Sequence, residues 1–218
     1  MGKTVIFDLD GTLADTIYDI RDALCGMRRR LGFSDISVEQ TLKNINNGAY
    51  ALVKRSLPES IAENREFIED AKKIYEECYE KCYNNKTKAF DGCAEMLKIL
   101  VGNGCSISVL SNKQQPFVEE IVKTLFPEIA FGFVIGQGRF PTKPDPEAVR
   151  YIINETGARK SECYLVGDSD VDMKTALNAG VHPIGVSWGY REPKILAENG
   201  AEFIAEKPQD INKLILLT

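Results

Sequence analysis

Short apolar runs alternate with amphipathic stretches over most of this chain. Residues 3–9, 105–110, 131–135, 163–166 and 182–186 are apolar or β-branched and bounded by Gly, Asn, Asp or Pro, the texture of strands buried on both faces. Between them, residues 93–101, 117–125, 147–155 and 173–179 carry apolar positions at helical spacing over a length that suits a crossover. Strand and helix in turn predict repeated βαβ units, hence an α/β fold built on a doubly wound parallel sheet. The alternation breaks between residues 14 and 85. That stretch lacks strand-like runs and carries charged, helix-periodic text such as IAENREFIEDAKKIYEECYEKCY. It reads as an inserted all-helical subdomain at 14–85, with 1–13 and 86–218 forming the core and a polar return near Asn84 and Asn85.

A chain of 218 residues, 44% hydrophobic, is long enough for one such core with its insert. Its formal net charge of −5 leaves no basic footprint, which argues against nucleic acid and against an anionic membrane surface as partners. No apolar run is long enough to span a bilayer, and Asp8 interrupts the N-terminus before a signal-peptide core could form. Ile6 stands where a myristoylation signal needs Ser or Thr. The expectation is a cytoplasmic protein, monomer or homodimer. Six cysteines without CxxC spacing read as reduced, mostly buried thiols. Cys78 and Cys82 share a helix face, but the single histidine, His182, leaves a zinc site without partners and itself reads as structural. Gly2-Lys3-Thr4 imitates the tail of a nucleotide-binding loop, yet it precedes its strand and lacks the upstream glycine.

In an open α/β sheet the reactive groups gather at the carboxyl ends of strands. The first such end reads VIFDLDGTLADT, with Asp8 and Asp10 two residues apart. Two neighbouring carboxylates repel unless a cation lies between them or one holds a proton, so the pair asks for a metal, a proton role, or both. Gly11 permits a sharp turn and close approach to a phosphate, and Thr12 offers a hydroxyl and an amide just ahead of the next helix. Ser111 and Asn112 follow the second run and could hold phosphoryl oxygens or cap the next helix. In TKPDP, Asp145 and Pro146 start a helix. Lys143 is not explained that way, because a cation ahead of a helix N-terminus opposes the macrodipole and so needs an anion or carboxylate cluster to face. The run LVGDSDVD crowds Asp168, Asp170 and Asp172 at another strand end, which suits a divalent cation.

Acidic groups on two strands, a hydroxyl on a third and a lysine on a fourth loop resemble the four motifs of the haloacid dehalogenase superfamily of Mg-dependent phosphohydrolases. They read here as DLDGT, the strand ending in Ser111, Lys143 with KPDP, and GDSDVD. The phrases FDLDGTLADT, LSNK, KPDP and NAGVHPIGVSWGY are similar to the phosphoglycolate phosphatase branch, and 14–85 would be its helical cap on a Rossmann-like core. The resemblance implies Asp8 as the nucleophile that becomes an aspartyl-phosphate and Asp10 as general acid and base. It implies Mg2+ held by Asp8, the Asp10 carbonyl and Asp168, with Asp172 supporting that shell or steadying the lysine, and Ser111 and Lys143 on the phosphoryl oxygens. The substrate would be a small phosphorylated metabolite. In the cap phrase NNGAYALVKRSL, Asn46 stands where that branch carries glycine, and Arg55 is the candidate reader of a substrate carboxylate. Its competing reading is a solvated helix face, since the adjacent Lys54 and Arg55 cannot both point inward. Beside the phosphatase stand a phosphomutase of the same fold, a haloalkanoate dehalogenase, which has no use for Asp10, and a non-catalytic phospho-binding regulator.

Overall fold

The structure, a computed structural model, describes residues 2–217. The chain divides into two compact units, one running up to Asp15 and resuming at Ala89, the other Thr16–Lys88. The first begins with β1 (Thr4–Phe7) and the two-residue β2 (Ala14–Asp15). The second consists of α1 (Ile17–Arg30), α2 (Val38–Asn44), α3 (Gly48–Arg55), α4 (Glu59–Ala62) and α5 (Arg65–Glu80). The chain continues through β3 (Lys88–Ala89), α6 (Cys93–Gly102), β4 (Ser106–Gln114), α7 (Gln115–Leu125), β5 (Phe133–Gln137) and α8 (Glu147–Thr156). It closes with β6 (Cys163–Gly167), α9 (Asp170–Ala179), β7 (His182–Val186), α10 (Pro193–Glu198), β8 (Phe203–Ala205) and α11 (Pro208–Leu217).

The main sheet has six strands in the order β5-β4-β1-β6-β7-β8, and every neighbouring pair is parallel. Successive connections run outward from β1 through β4 to β5, then outward the other way from β6 through β7 to β8. The reversal lies between β1 and β6, and at such a switch point the loops diverge and leave a crevice at the carboxyl ends. The central strands earn their place by composition. Val5, Ile6 and Phe7 of β1 and Leu165 and Val166 of β6 are fully buried, as strands covered by helices on both faces must be.

The sheet departs from the sequence reading at its edges. β8 is three residues, Phe203–Ala205, between Glu202 and Glu206, too short to register as a strand pattern. β4 runs on to Gln114, past the expected stop at 110, because its pairing with β5 slips between Leu110 and Gln114. The domain boundaries also move, from 14–85 to 16–88. Leu13 and Ala14 are fully buried, and the Leu13 carbonyl accepts the N–H of Phe90, which ties both chain crossings to the sheet-bearing unit. The return segment stays with the helices instead, because the buried Asp19 carboxylate accepts the N–H groups of Lys86 and Thr87 and the Thr87 hydroxyl at 2.8–3.0 Å.

Within the helical unit, α1 turns Ile17, Ile20, Ala23, Leu24 and Met27 inward and α5 turns Ile68, Ala71, Tyr75 and Tyr79 inward, both at helical spacing. A capping box of Ser37 with Gln40 starts α2, and the Asn64 side chain caps α5. The cysteines are free thiols, and burial lifts Cys93 to about 12. Among the described residues no helix is long and apolar enough to cross a membrane.

Candidate active site

Strand register brings the chemistry together. Phe7 pairs with Val109 on one side and Val166 on the other, so Asp8, Ser111 and Asp168 come to one level at the carboxyl end of the sheet, one or two residues further on. Helix α9 supplies Asp172 by a specific local device. Ser169 is its N-cap, and a capping box joins the two residues: Asp172 Oδ2 accepts the Ser169 N–H at 3.1 Å and the Ser169 hydroxyl at 2.5 Å. That fixes the carboxylate with Oδ1 turned to Lys143, whose ammonium donates to Asp172 Oδ1 at 2.6 Å and to Asp8 Oδ1 at 2.8 Å. Lys143, Asp8, Asp168 and Asp172 are 6%, 7%, 3% and 0% exposed, so these charges interact with little solvent between them.

Burial is the largest influence on the two carboxyls Asp8 and Asp168. It pushes the Asp8 carboxyl well above the ordinary carboxylate range; Lys143 opposes the rise, and Asp172, Asp168 and Asp10 add to it. Burial lifts Asp168 to about 7, with Asp172 adding and the Tyr190 N–H, Lys143 and Thr12 opposing. Burial works against the Lys143 ammonium as well, yet the attraction of Asp172 and Asp8 prevails and holds the lysine above its usual range. Asp8, Asp168 and Asp172 bring their oxygens within 4.8 Å of one another, three carboxylates against one ammonium. This buried, oxygen-only set with excess negative charge fits a hard divalent cation such as Mg2+.

Thr12, Asn112 and Gly11, expected to meet a substrate, make contacts with this cluster. The Thr12 hydroxyl is buried and donates to Asp168 Oδ1 at 3.3 Å, so it orients a carboxylate. Asn112 uses both ends of its amide on the backbone of Lys143: Nδ2 donates to the carbonyl at 3.0 Å and Oδ1 accepts the N–H at 2.7 Å. It holds the backbone of the lysine on both sides. Gly11 has φ +88°, and a Cβ there would fall 2.3 Å from Asp168 Oδ2 and 2.8 Å from the Tyr190 ring. The bare backbone thus makes room for Asp168. Arg55 lies in the helical unit, where its guanidinium donates to the carbonyls of Asn44 and Asn46 at 3.2 and 3.0 Å, and its neighbour Lys54 pairs with Glu63 at 3.0 Å. Asp170 is engaged by Lys174 one turn along α9 at 2.7 Å, a helix-surface pair.

Ser111 and Asp10 do meet, with the hydroxyl 3.4 Å from Asp10 Oδ2. Sequence reasoning missed what surrounds them. Lys113 places its ammonium on Asp10 Oδ1. It stands two residues before α7, and the macrodipole argument that singles out Lys143 applies to it equally. The loop after β7 also contributes. The Tyr190 N–H donates to Asp168 Oδ2 at 2.8 Å, and the Trp188 indole donates to the Thr12 carbonyl at 3.0 Å. Gly189 between them passes so close that a Cβ would lie 2.2 Å from Asp168 Cβ.

The chain is similar to known proteins over most of its length. A family profile described as haloacid dehalogenase-like hydrolase matches residues 5–186. A phosphoglycolate phosphatase from Vibrio parahaemolyticus is 28% identical over 221 residues, covering 99% of this chain and 97% of that one. Another from Pseudomonas fluorescens is 31% identical, covering 98% of this chain and 78% of that one. A solved structure from Lactobacillus delbrueckii, provisionally named a phosphoglycolate phosphatase, superposes with a TM-score of 0.90 at 27% identity and 98% coverage of both chains. A buried Asp8 at the sheet's switch point, a lysine shared between two aspartates, and a profile match that spans the whole sheet through β7 lead to one assignment: this chain belongs to the haloacid dehalogenase-like hydrolases.

Proposed function

We propose that the protein hydrolyses a small phosphate monoester through a phosphorylated Asp8. The observation that carries this reading is the Asp8 carboxylate, buried at the end of the central strand and held by Lys143, with Asp10 two residues on. A carboxylate oxygen of Asp8 attacks phosphorus, and the bond from phosphorus to the ester oxygen breaks. Asp10 gives a proton to the departing alkoxide. In the second displacement Asp10 takes a proton from water as it attacks the same phosphorus, the bond to Asp8 breaks, and inorganic phosphate leaves. Lys143 offsets the charge around Asp8 in both steps, and the Ser111 hydroxyl turns from its 3.4 Å contact with Asp10 to a phosphoryl oxygen. Asp8, Asp168 and the Asp10 main-chain carbonyl would hold Mg2+, with Asp172 completing the acidic set. When bound, the ion supplies charge neutralisation that lets a carboxylate approach a phosphate dianion.

The names of the relatives make 2-phosphoglycolate the first ester to try. The test is a screen of small phosphate monoesters with Mg2+ and with EDTA, on wild type and Asp8→Asn. Phosphate release that needs Mg2+ and disappears in the variant supports the reading. Release that persists in Asp8→Asn overturns it.

A further inference from the structure

Lys113 has no part in the reaction as written, yet it is held at its centre. Its side chain is 9% exposed, its ammonium pairs with Asp10 Oδ1, and its own N–H donates to the Ser111 hydroxyl at 3.2 Å. The end of β4, directly ahead of α7, therefore fixes the ammonium relative to both site residues. Desolvating a lysine beside the positive end of a helix is unfavourable, and Asp10 is the anion that offsets it, so the ammonium is held where a substrate anion beside Asp10 could take over that contact.

Geometry says where that anion would be. In the proposed reaction Asp10 lies within hydrogen-bond reach, about 3 Å, of the ester oxygen. An ammonium on the same carboxylate is then within two such lengths plus the carboxylate's own width, about 8 Å, of that oxygen. In a phosphorylated 2-hydroxy acid the carboxylate oxygens stand about 3 Å from the ester oxygen, set by two carbon–oxygen bonds and the carbon–carbon bond between them. Such a group falls between the ester oxygen and Lys113. Lys113 differs from the other cations in its partner: Lys143 is held by Asp8 and Asp172, Arg55 by the carbonyls of Asn44 and Asn46, and Lys54 by Glu63, whereas Lys113 is held by the proposed acid–base residue itself.

We propose that Lys113 is the specificity residue that reads a carboxylate on the leaving group, so that the preferred substrates are phosphate esters of small 2-hydroxy acids. On binding, the ammonium passes from Asp10 Oδ1 to the substrate carboxylate. The inference rests on the phosphatase reading above and names the residue that selects within it.

The test compares KM for 2-phosphoglycolate and ethyl phosphate, which differ in that carboxylate, across wild type, Lys113→Met, Lys113→Gln and Lys113→Arg. Wild type should favour 2-phosphoglycolate. The KM for ethyl phosphate divided by the KM for 2-phosphoglycolate should fall about tenfold or more in the Met and Gln variants, as expected for losing a charge-assisted contact, and recover in the Arg variant. A ratio unchanged in whichever neutral variant folds would overturn the role of Lys113 while leaving the phosphatase reading standing. Wild type that releases phosphate from neither ester would overturn both.

Discussion

Removing the ammonium at position 143 perturbs the site most sharply. In Lys143→Met, Asp8 and Asp172 lose contacts of 2.8 and 2.6 Å, and three buried carboxylates remain without their cation. Breaking a buried pair on one side costs about 3–5 kcal/mol at pH 8. For a chain of this length that corresponds to a Tm lowered by about 6–20 °C. The pH dependence follows from the directions of the shifts. Lys143 is held above its usual range, so its contribution is fully present below the ordinary lysine range and constant between pH 5 and 8. Asp8 already sits well above the carboxylate range, and loss of the lysine that opposes this raises it further. The folded variant therefore binds a proton that the unfolded chain releases, and its stability falls as pH rises from the ordinary carboxylate range to the raised value. The deficit should be smaller at pH 5.5 than at pH 8, because the further rise of Asp8 gives the folded variant a proton affinity that the wild type lacks. Urea denaturation of both proteins in EDTA at the two pH values measures it. A deficit below about 1 kcal/mol, or one identical at both pH values, would refute the reasoning.

Three further outcomes follow from the same geometry. Asn112→Ala removes two hydrogen bonds to the Lys143 backbone, so kcat should drop about tenfold or more while Tm falls by only about 2–8 °C, read by steady-state kinetics and thermal denaturation. Gly11→Ala combines positive φ with a Cβ 2.3 Å from Asp168 Oδ2; it should cost about 2–4 kcal/mol and weaken Mg2+ binding, measured by the Tm gained on adding Mg2+. Asp168, lifted to about 7 by burial, keeps a proton that the unfolded chain has lost between the ordinary carboxylate range and neutrality, and a divalent cation must displace that proton. The Tm gained on adding Mg2+ should thus be small at pH 5 and grow through pH 7, and a gain independent of pH would contradict this assignment.

The inner architecture was legible because its signals are strong and local. Apolar runs ending in Asp8, Ser111 and Asp168 mark buried strands, and parallel register then brings their ends to one level. Lys143 was legible through its conflict with the helix dipole, a physical anomaly needing a partner. What stayed hidden was direction. A sequence offers Thr12 and Asn112 as hydrogen-bonding groups at the right place, but only packing decides that one turns to Asp168 and the other to the backbone of Lys143. Lys113 carries the same anomaly as Lys143, but it follows two small hydrogen-bonding residues, Ser111 and Asn112, that are the stronger local signal. The Trp188–Tyr190 contacts are about 175 residues away in sequence from Thr12 and Asp15, a separation no local pattern can bridge.

The central claim is that Asp8 carries the phosphoryl group during turnover. Acid quenching in the steady state with 2-phosphoglycolate and Mg2+, followed by borohydride reduction and peptide mass spectrometry, reads this directly, because reduction turns a phosphorylated aspartate into homoserine. The account predicts homoserine at position 8 and at no other aspartate. Ongoing phosphate release with Asp8 recovered unaltered, or with the label at another residue, would contradict it.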